Sequence, residues 1–111
     1  MRITIRLALA TAALLLGSAQ AADIAKPDKV SVCAACHGEN GQSIAPNFPN
    51  LAGQQSTYIE HALHAYQCGE RKNPIMGAQA VSLSDEDIKQ LALWFSHQPA
   101  KLYVPGINEK K

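Results

Sequence analysis

The apolar residues in the second half of the chain recur at helical spacing. One set falls at positions i, i+3, i+4 and i+7: Ile59, Ala62, Leu63 and Tyr66. Residues at these spacings share one face of a helix, which is the arrangement of a helix packed against a core. Gly69 follows where helices often end, so the pattern predicts a helix over about residues 55–68.

A second helix of this kind is predicted near the end of the chain. Its apolar stripe is Ile88, Leu91, Ala92 and Phe95. Ser84 is placed as the N-cap with Asp87 three residues later, a variant of the capping box, and Leu83 with Ile88 can form the hydrophobic staple. Pro99 ends the helix.

A shorter helix is predicted between Pro27 and Gly38, because an early proline and a glycine just past the end match the usual polarity of helices. Residues 38–53 and 70–82 are rich in Gly, Pro and Asn and are predicted to be loops. The first loop is longer than most compact domains contain without a function. Because no segment alternates like a strand, the predicted fold class is all-α, with about three main helices.

The N-terminal segment has the organisation of a secretory signal peptide. Arg2 and Arg6 form a short positive region before an apolar run over residues 7–16. Ala19-Gln20-Ala21 then has the small-x-small form of a cleavage site. The run is shorter than the roughly 20 residues that span a bilayer. We therefore predict that residues 1–21 are removed and that residues 22–111 form one domain in the periplasm, without stable membrane insertion.

The charge balance excludes one class of partner. The chain has ten Lys and Arg and nine Asp and Glu, and loss of Arg2 and Arg6 leaves eight basic residues against nine acidic ones. Nucleic-acid binding requires clustered positive charge, and no basic block remains. Nucleic acid is therefore not a predicted partner.

Cys33-Ala34-Ala35-Cys36-His37 has the Cys-x-x-Cys-His spacing of a covalent haem c site. On a helix these three side chains share one face, so the two thiols can form thioethers with haem vinyl groups while the imidazole binds the iron. A zinc site and a redox disulfide are the alternatives. The export signal fits zinc poorly, and no βαβ pattern supports a thioredoxin-like disulfide.

Haem iron has a second axial position, for which the candidates are Met76, His61, His64 and His97. Met76 is favoured because it is the one methionine outside residues 1–21 and lies in a predicted loop after Pro74. A thioether favours ferrous iron and raises the reduction potential. Two protein ligands also leave no open position for oxygen, which points to electron transfer rather than catalysis.

Five motifs together carry a family resemblance: Cys33-x-x-Cys36-His37-Gly38; Pro49-Asn50-Leu51-Ala52-Gly53-Gln54; Tyr66 with Gly69-x-Arg71; Pro74-x-Met76; and Leu83 to Ile88 leading to Trp94-Phe95. On these motifs the chain resembles a short class I cytochrome c of the bacterial periplasmic kind and single halves of dihaem cytochromes. The resemblance covers nearly all of residues 22–111. It implies a small cytochrome c fold wrapped around one haem, with the first and last helices packed together.

The resemblance also implies a set of cofactor-binding residues: Cys33, Cys36, His37, Met76, Pro49 and Arg71. In this set His37 and Met76 are the proximal and distal iron ligands. The Pro49 carbonyl accepts the other imidazole N–H of His37. Arg71 is a candidate partner for a haem propionate, because a guanidinium pairs with a carboxylate through two hydrogen bonds.

Cys68 departs from the family pattern, which has no cysteine there. It is predicted to lie with His61 and His64 on the helix face opposite the apolar stripe. Three alternatives stay open: a silent thiol, a disulfide-linked dimer, or a soft-metal site.

The predicted function is that of an electron carrier, not an enzyme, with periplasmic redox proteins as donor and acceptor. The alternative is a haem subunit of a periplasmic flavoprotein or sulfur-oxidising enzyme. A haem enzyme or sensor with an open iron position is a third hypothesis.

Overall fold

The computed structural model describes residues 23–100, which contain four helices and no strand. The helices are α1 (Val30–His37), α2 (Ser56–Cys68), α3 (Pro74–Ala80) and α4 (Asp85–Ser96). The all-α prediction is confirmed for this part of the chain. The predicted signal peptide, residues 1–21, lies outside the described residues.

The core lies where α1, α2 and α4 meet. Its buried residues are Val30 of α1, Ile59 of α2, and Leu91, Ala92 and Phe95 of α4. The first helix therefore contributes Val30 to the same buried cluster as the last helix, as expected from the resemblance. An ion pair strengthens this junction, since Lys29 Nζ lies 2.5 Å from Asp87 Oδ2.

The start of α4 is built as its sequence predicts. Ser84 Oγ accepts the Asp87 backbone N–H at 3.1 Å, and Asp87 Oδ2 accepts the Ser84 backbone N–H at 2.9 Å. This capping box satisfies two backbone donors that a helix start leaves unpaired. Leu83 is partly buried against the core and Ile88 is fully buried, which fixes the angle at which the chain enters α4.

The loop prediction for residues 70–82 is wrong over residues 74–80, which form α3. Asn73 Oδ1 accepts the backbone N–H groups of Ile75 and Met76 at 2.9 and 3.0 Å, and Pro74 occupies the first helical turn. An Asn N-cap followed by proline is a favourable helix start. The helix is too short for its apolar positions to reveal a period.

The first helix is shorter than predicted. It begins at Val30 rather than near Pro27, because residues 28 and 29 form a turn in which the Val30 N–H donates to Pro27 O at 3.1 Å. Its end at His37, immediately before Gly38, agrees with the prediction.

The long loop of residues 38–53 folds back on itself. Gly41 O accepts the N–H groups of both Leu51 and Ala52, at 2.7 and 3.0 Å. The Gly53 N–H then donates to Phe95 O at 3.0 Å, which attaches the loop to α4. These bonds bring the end of the loop back to its start, which follows the C-terminal end of α1. No helix within residues 23–100 combines the length and apolarity needed to cross a bilayer.

Candidate haem site

The C-terminal end of α1 presents two thiols and an imidazole. Cys33 and Cys36 are partly buried free thiols, and His37 is 6% exposed. Burial raises the pKa of the Cys33 thiol, because the charged thiolate loses hydration there. The spacing of Cys33, Cys36 and His37 places their three side chains on the same side of the helix.

The His37 ring is held in one orientation. Its Nδ1 lies 2.8 Å from Pro49 O. A carbonyl oxygen can only accept, so Nδ1 carries a proton, and in the neutral ring Nε2 carries the lone pair. The Phe48 ring adds an edge contact, with centroids 6.5 Å apart and planes at 63°. This leaves Nε2 as the ring nitrogen available to a metal, and the contact with Pro49 is the one that the resemblance implies.

Gly38 makes the turn that carries Pro49 to His37. Its φ is +83° and its ψ is 155°, a conformation open essentially to glycine alone. A Cβ on Gly38 would lie 1.9 Å from the Gln42 carbonyl oxygen. The Gly38 N–H still donates to Ala34 O at 2.9 Å, so the helix ends and the loop begins within this one residue.

Met76 lies on α3 rather than in a loop, and its side chain is partly buried. Helix α3 packs against α2. The position of Met76 therefore depends on the residues that hold α3. Sequence reasoning missed two of them, Asn73 at the start of α3 and Gln67 on α2, although the Asn73-Pro74 pair was a usable helix-start signal.

Arg71 is placed by α2. Its backbone N–H donates to Ala65 O at 3.0 Å, and its Nη1 lies 3.4 Å from the Tyr58 hydroxyl. The guanidinium carbon lies 5.0 Å from the centroid of the Tyr66 ring, a cation–π contact. The hydrogen bond to Tyr58 raises the pKa of Arg71, which stays charged. Its pairing with a haem propionate stays a prediction.

The face of α2 that carries His61, His64 and Cys68 borders an open cavity of about 340 Å³. Within residues 23–100, no three side chains of His, Cys, Asp or Glu lie close enough to hold a metal ion. The soft-metal alternative for this face therefore finds no support there, and neither does the zinc alternative for α1. His97, another candidate ligand, places Nδ1 3.0 Å from Leu93 O of its own helix.

The residues of the site fit a haem c. A haem c needs two thiols and an oriented imidazole, and α1 supplies all three on one side. The protein core is also small, since residues 23–100 bury ten hydrophobic residues of which five are alanine. A domain of this size has little core of its own, so a large apolar ring would add substantially to it.

Comparisons with known proteins agree with this reading. The family model described as Cytochrome c matches residues 25–98. Cytochrome c-554(548) of Halomonas halodenitrificans is 47% identical over 74 residues, which cover 64% of this chain and 89% of that protein. The thiosulfate dehydrogenase electron acceptor of Stutzerimonas stutzeri is 38% identical over 68 residues, which cover 59% of this chain and 32% of that protein.

A solved structure supports the fold. The crystal structure of reduced cytochrome c4 from Pseudomonas stutzeri is 40% identical and superimposes with a TM-score of 0.63. The match covers 67% of this chain and 44% of that one, so the chain spans less than half of cytochrome c4. With its family model, its relatives, its all-α fold and its Cys-x-x-Cys-His helix, the chain belongs to the cytochrome c family, whose members bind haem c covalently and carry electrons.

Proposed function

We propose that this protein is a periplasmic electron carrier that holds one covalent haem c through Cys33 and Cys36, with His37 and Met76 as the axial ligands. The observation that carries the proposal is the His37 ring, fixed through Nδ1 on Pro49 O at 2.8 Å beside two free thiols. Haem c supplies a one-electron redox centre whose iron changes oxidation state without bonds being made or broken in a substrate.

Each residue has a separate task. Cys33 and Cys36 attach the ring, so the cofactor cannot dissociate between partners. The carbonyl of Pro49 keeps His37 in the tautomer that leaves Nε2 as a ligand, and it raises the basicity of the ring. A covalent attachment and a fixed imidazole would hold the haem in one place on the protein.

Met76 affects both the reduction potential of the haem and the access of other molecules to the iron. Its thioether is neutral and soft, so it stabilises ferrous iron and raises the potential. His37 and Met76 would together hold the iron, so an external molecule would have to displace one of them to reach it. This arrangement favours an electron carrier over a haem enzyme or a gas sensor.

A visible spectrum with a pyridine haemochrome assay on the periplasmic protein tests the covalent haem. Protein without covalent haem would refute the central proposal.

Met76→Ala tests the distal ligand: we expect a lower reduction potential and an iron site that binds external imidazole. Ile75→Ala is the matched control, because Ile75 lies on the same helix and is 57% exposed. An unchanged Met76→Ala spectrum would redirect the search to His61, His64 or His97.

The second candidate function is that of an electron-accepting subunit of a sulfur-oxidising enzyme. Similarity to proteins named thiosulfate dehydrogenase electron acceptor favours it specifically. In that case the chain should co-purify with a larger periplasmic oxidoreductase and be reduced by it when thiosulfate is added. Elution as a single polypeptide, with no reduction by that enzyme, would reject this candidate.

Export and oligomeric state are open to simple measurements. If residues 1–21 are removed, the mature protein begins at Ala22, and the mass of the intact protein tests this.

Cys68 is an exposed free thiol, so an oxidising compartment allows a disulfide between two copies. A non-reducing gel distinguishes the dimer from the silent thiol: a dimer band should vanish in Cys68→Ser, whereas a monomer band alone in the unmodified protein rejects the dimer.

A further inference from the structure

Helix α3, which carries Met76, is held at both ends by amide side chains. It has seven residues, fewer than the roughly 12–15 that an isolated helix needs to be even marginally stable. Asn73 caps its start. At its end, the Nε2 of Gln67 on α2 donates to Ala80 O at 2.9 Å and to Leu83 O at 2.8 Å. Gln67 thus connects α2 to both the end of α3 and the approach to α4.

The Gln67 amide can make these bonds in one orientation only. Its two N–H groups are used by the two carbonyl oxygens, and its Oε1 lies 3.1 Å from Nδ1 of His64. The reversed amide would place an oxygen against two other oxygens, none of which can donate. His64 completes the arrangement by donating to the remaining acceptor. The bonds to Ala80 O and Leu83 O are partly buried, so water competes weakly for them, whereas the contact with His64 is exposed.

We propose that Gln67 is a positioning residue for Met76, and that His64 orients Gln67 for this task. Met76 precedes Ala80 by four residues, about one helical turn, so the end of α3 and Met76 move together. Loss of the Gln67 bonds frees the end of a helix that has little stability of its own. This inference rests on the proposed function, in which Met76 binds the iron.

Titration of the ferric haem protein with imidazole measures how readily Met76 leaves the iron. The apparent association constant rises in proportion to the fraction of molecules with Met76 dissociated. Each lost hydrogen bond changes such an equilibrium by about two- to tenfold, so we expect about a tenfold rise in Gln67→Ala. Gln67→Glu keeps the size but loses both donors and should behave alike. His64→Ala, which loses only the orienting contact, should give about a twofold rise.

Gln90→Ala is the matched control. Gln90 is an exposed glutamine whose side chain, among the residues that the structure describes, hydrogen-bonds only to Glu86 of its own helix, at 2.8 Å. Its variant should bind imidazole with the constant of the unmodified protein. Unchanged imidazole association constants in Gln67→Ala and Gln67→Glu, with a raised constant in Met76→Ala, would refute the role of Gln67 and leave Met76 as the ligand. An unchanged constant in Met76→Ala would instead remove Met76 as the ligand, and this inference with it.

Amide hydrogen exchange gives a readout that does not depend on ligand binding. The Val81 N–H donates to Gly77 O at 3.2 Å and the Leu83 N–H donates to Ala80 O at 3.1 Å, both at the end of α3. In Gln67→Ala these two amides should exchange about tenfold faster, while Ile88 at the start of α4 keeps its rate. Equal acceleration at all three amides would mean general destabilisation and would refute a positioning role.

Discussion

A glycine-to-alanine series tests whether the turn after α1 builds the site. Gly38 combines a positive φ with a close contact, since a Cβ there would lie 1.9 Å from the Gln42 carbonyl oxygen. Gly69 has a positive φ of 80°, but a Cβ there would meet nothing within 4 Å. Gly77 lies inside α3 with no positive φ and open space around it. The three positions separate backbone strain from steric overlap.

The structure sets the size and the sign of each effect. Alanine at Gly69 should lower the free energy of unfolding by about 1 kcal/mol, the cost of a left-handed conformation with a Cβ. Alanine at Gly38 should cost about 3 kcal/mol or more, because the conformation is rarer and the Gln42 carbonyl must also move. Alanine at Gly77 should raise the free energy by about 0.5–1 kcal/mol, since it removes a glycine from a helix.

Guanidinium denaturation of the three haem-containing variants measures these differences. The loss of unfolding free energy in Gly38→Ala should be accompanied by weaker binding of His37 to the iron. The displaced loop carries Pro49, whose carbonyl oxygen contacts Nδ1 of His37. Equal losses at Gly38 and Gly69 would refute the steric argument. A destabilised Gly77→Ala would refute the helical assignment of that residue.

The junctions of α4 and α3 give two further predictions. The hydrogen bond from Lys29, followed by those from Ser84, lowers the pKa of Asp87 to about 2 from an ordinary value of 3.8. The ionised carboxylate therefore adds stability above about pH 4 that is lost as the pH falls toward 2, and Asp87→Asn should flatten this part of an acid-unfolding profile. Asn73→Ala removes the N-cap of α3 and should lower the free energy of unfolding by about 1 kcal/mol in guanidinium denaturation, with Asn73→Ser near the unmodified protein. A stable Asn73→Ala would contradict the capping role.

Helices α2 and α4 could be predicted because the sequence patterns that mark them lie within each helix. Each helix is long enough for its apolar positions to repeat, and Ser84 with Asp87 marks the start of α4. Helix α3 is too short for such a repeat, and its local signal is limited to the Asn73-Pro74 pair at its start. Its seven residues include Pro74 and Gly77, which read as turn formers, and its stability comes from a cap and from Gln67 on another helix.

The candidate site divides in a similar way. The spacing of Cys33, Cys36 and His37 is a property of neighbouring residues, so the sequence was sufficient to indicate haem attachment. The contacts of Arg71 with Tyr58 and Tyr66 were not foreseen, because they depend on how the chain turns after α2. Its predicted propionate partner stays a prediction.

The fold class, the attachment motif and the two longest helices follow from the amino-acid sequence alone, since helix periodicity, capping and a five-residue motif are encoded over short distances. The tertiary structure decided which tautomer His37 adopts, because the acceptor Pro49 lies 12 residues away on a returning loop. It likewise decided that Met76 lies on a helix, because that helix is held by a side chain of α2. Contacts between residues distant in sequence form only when the backbone closes around them, and no local pattern specifies that closure.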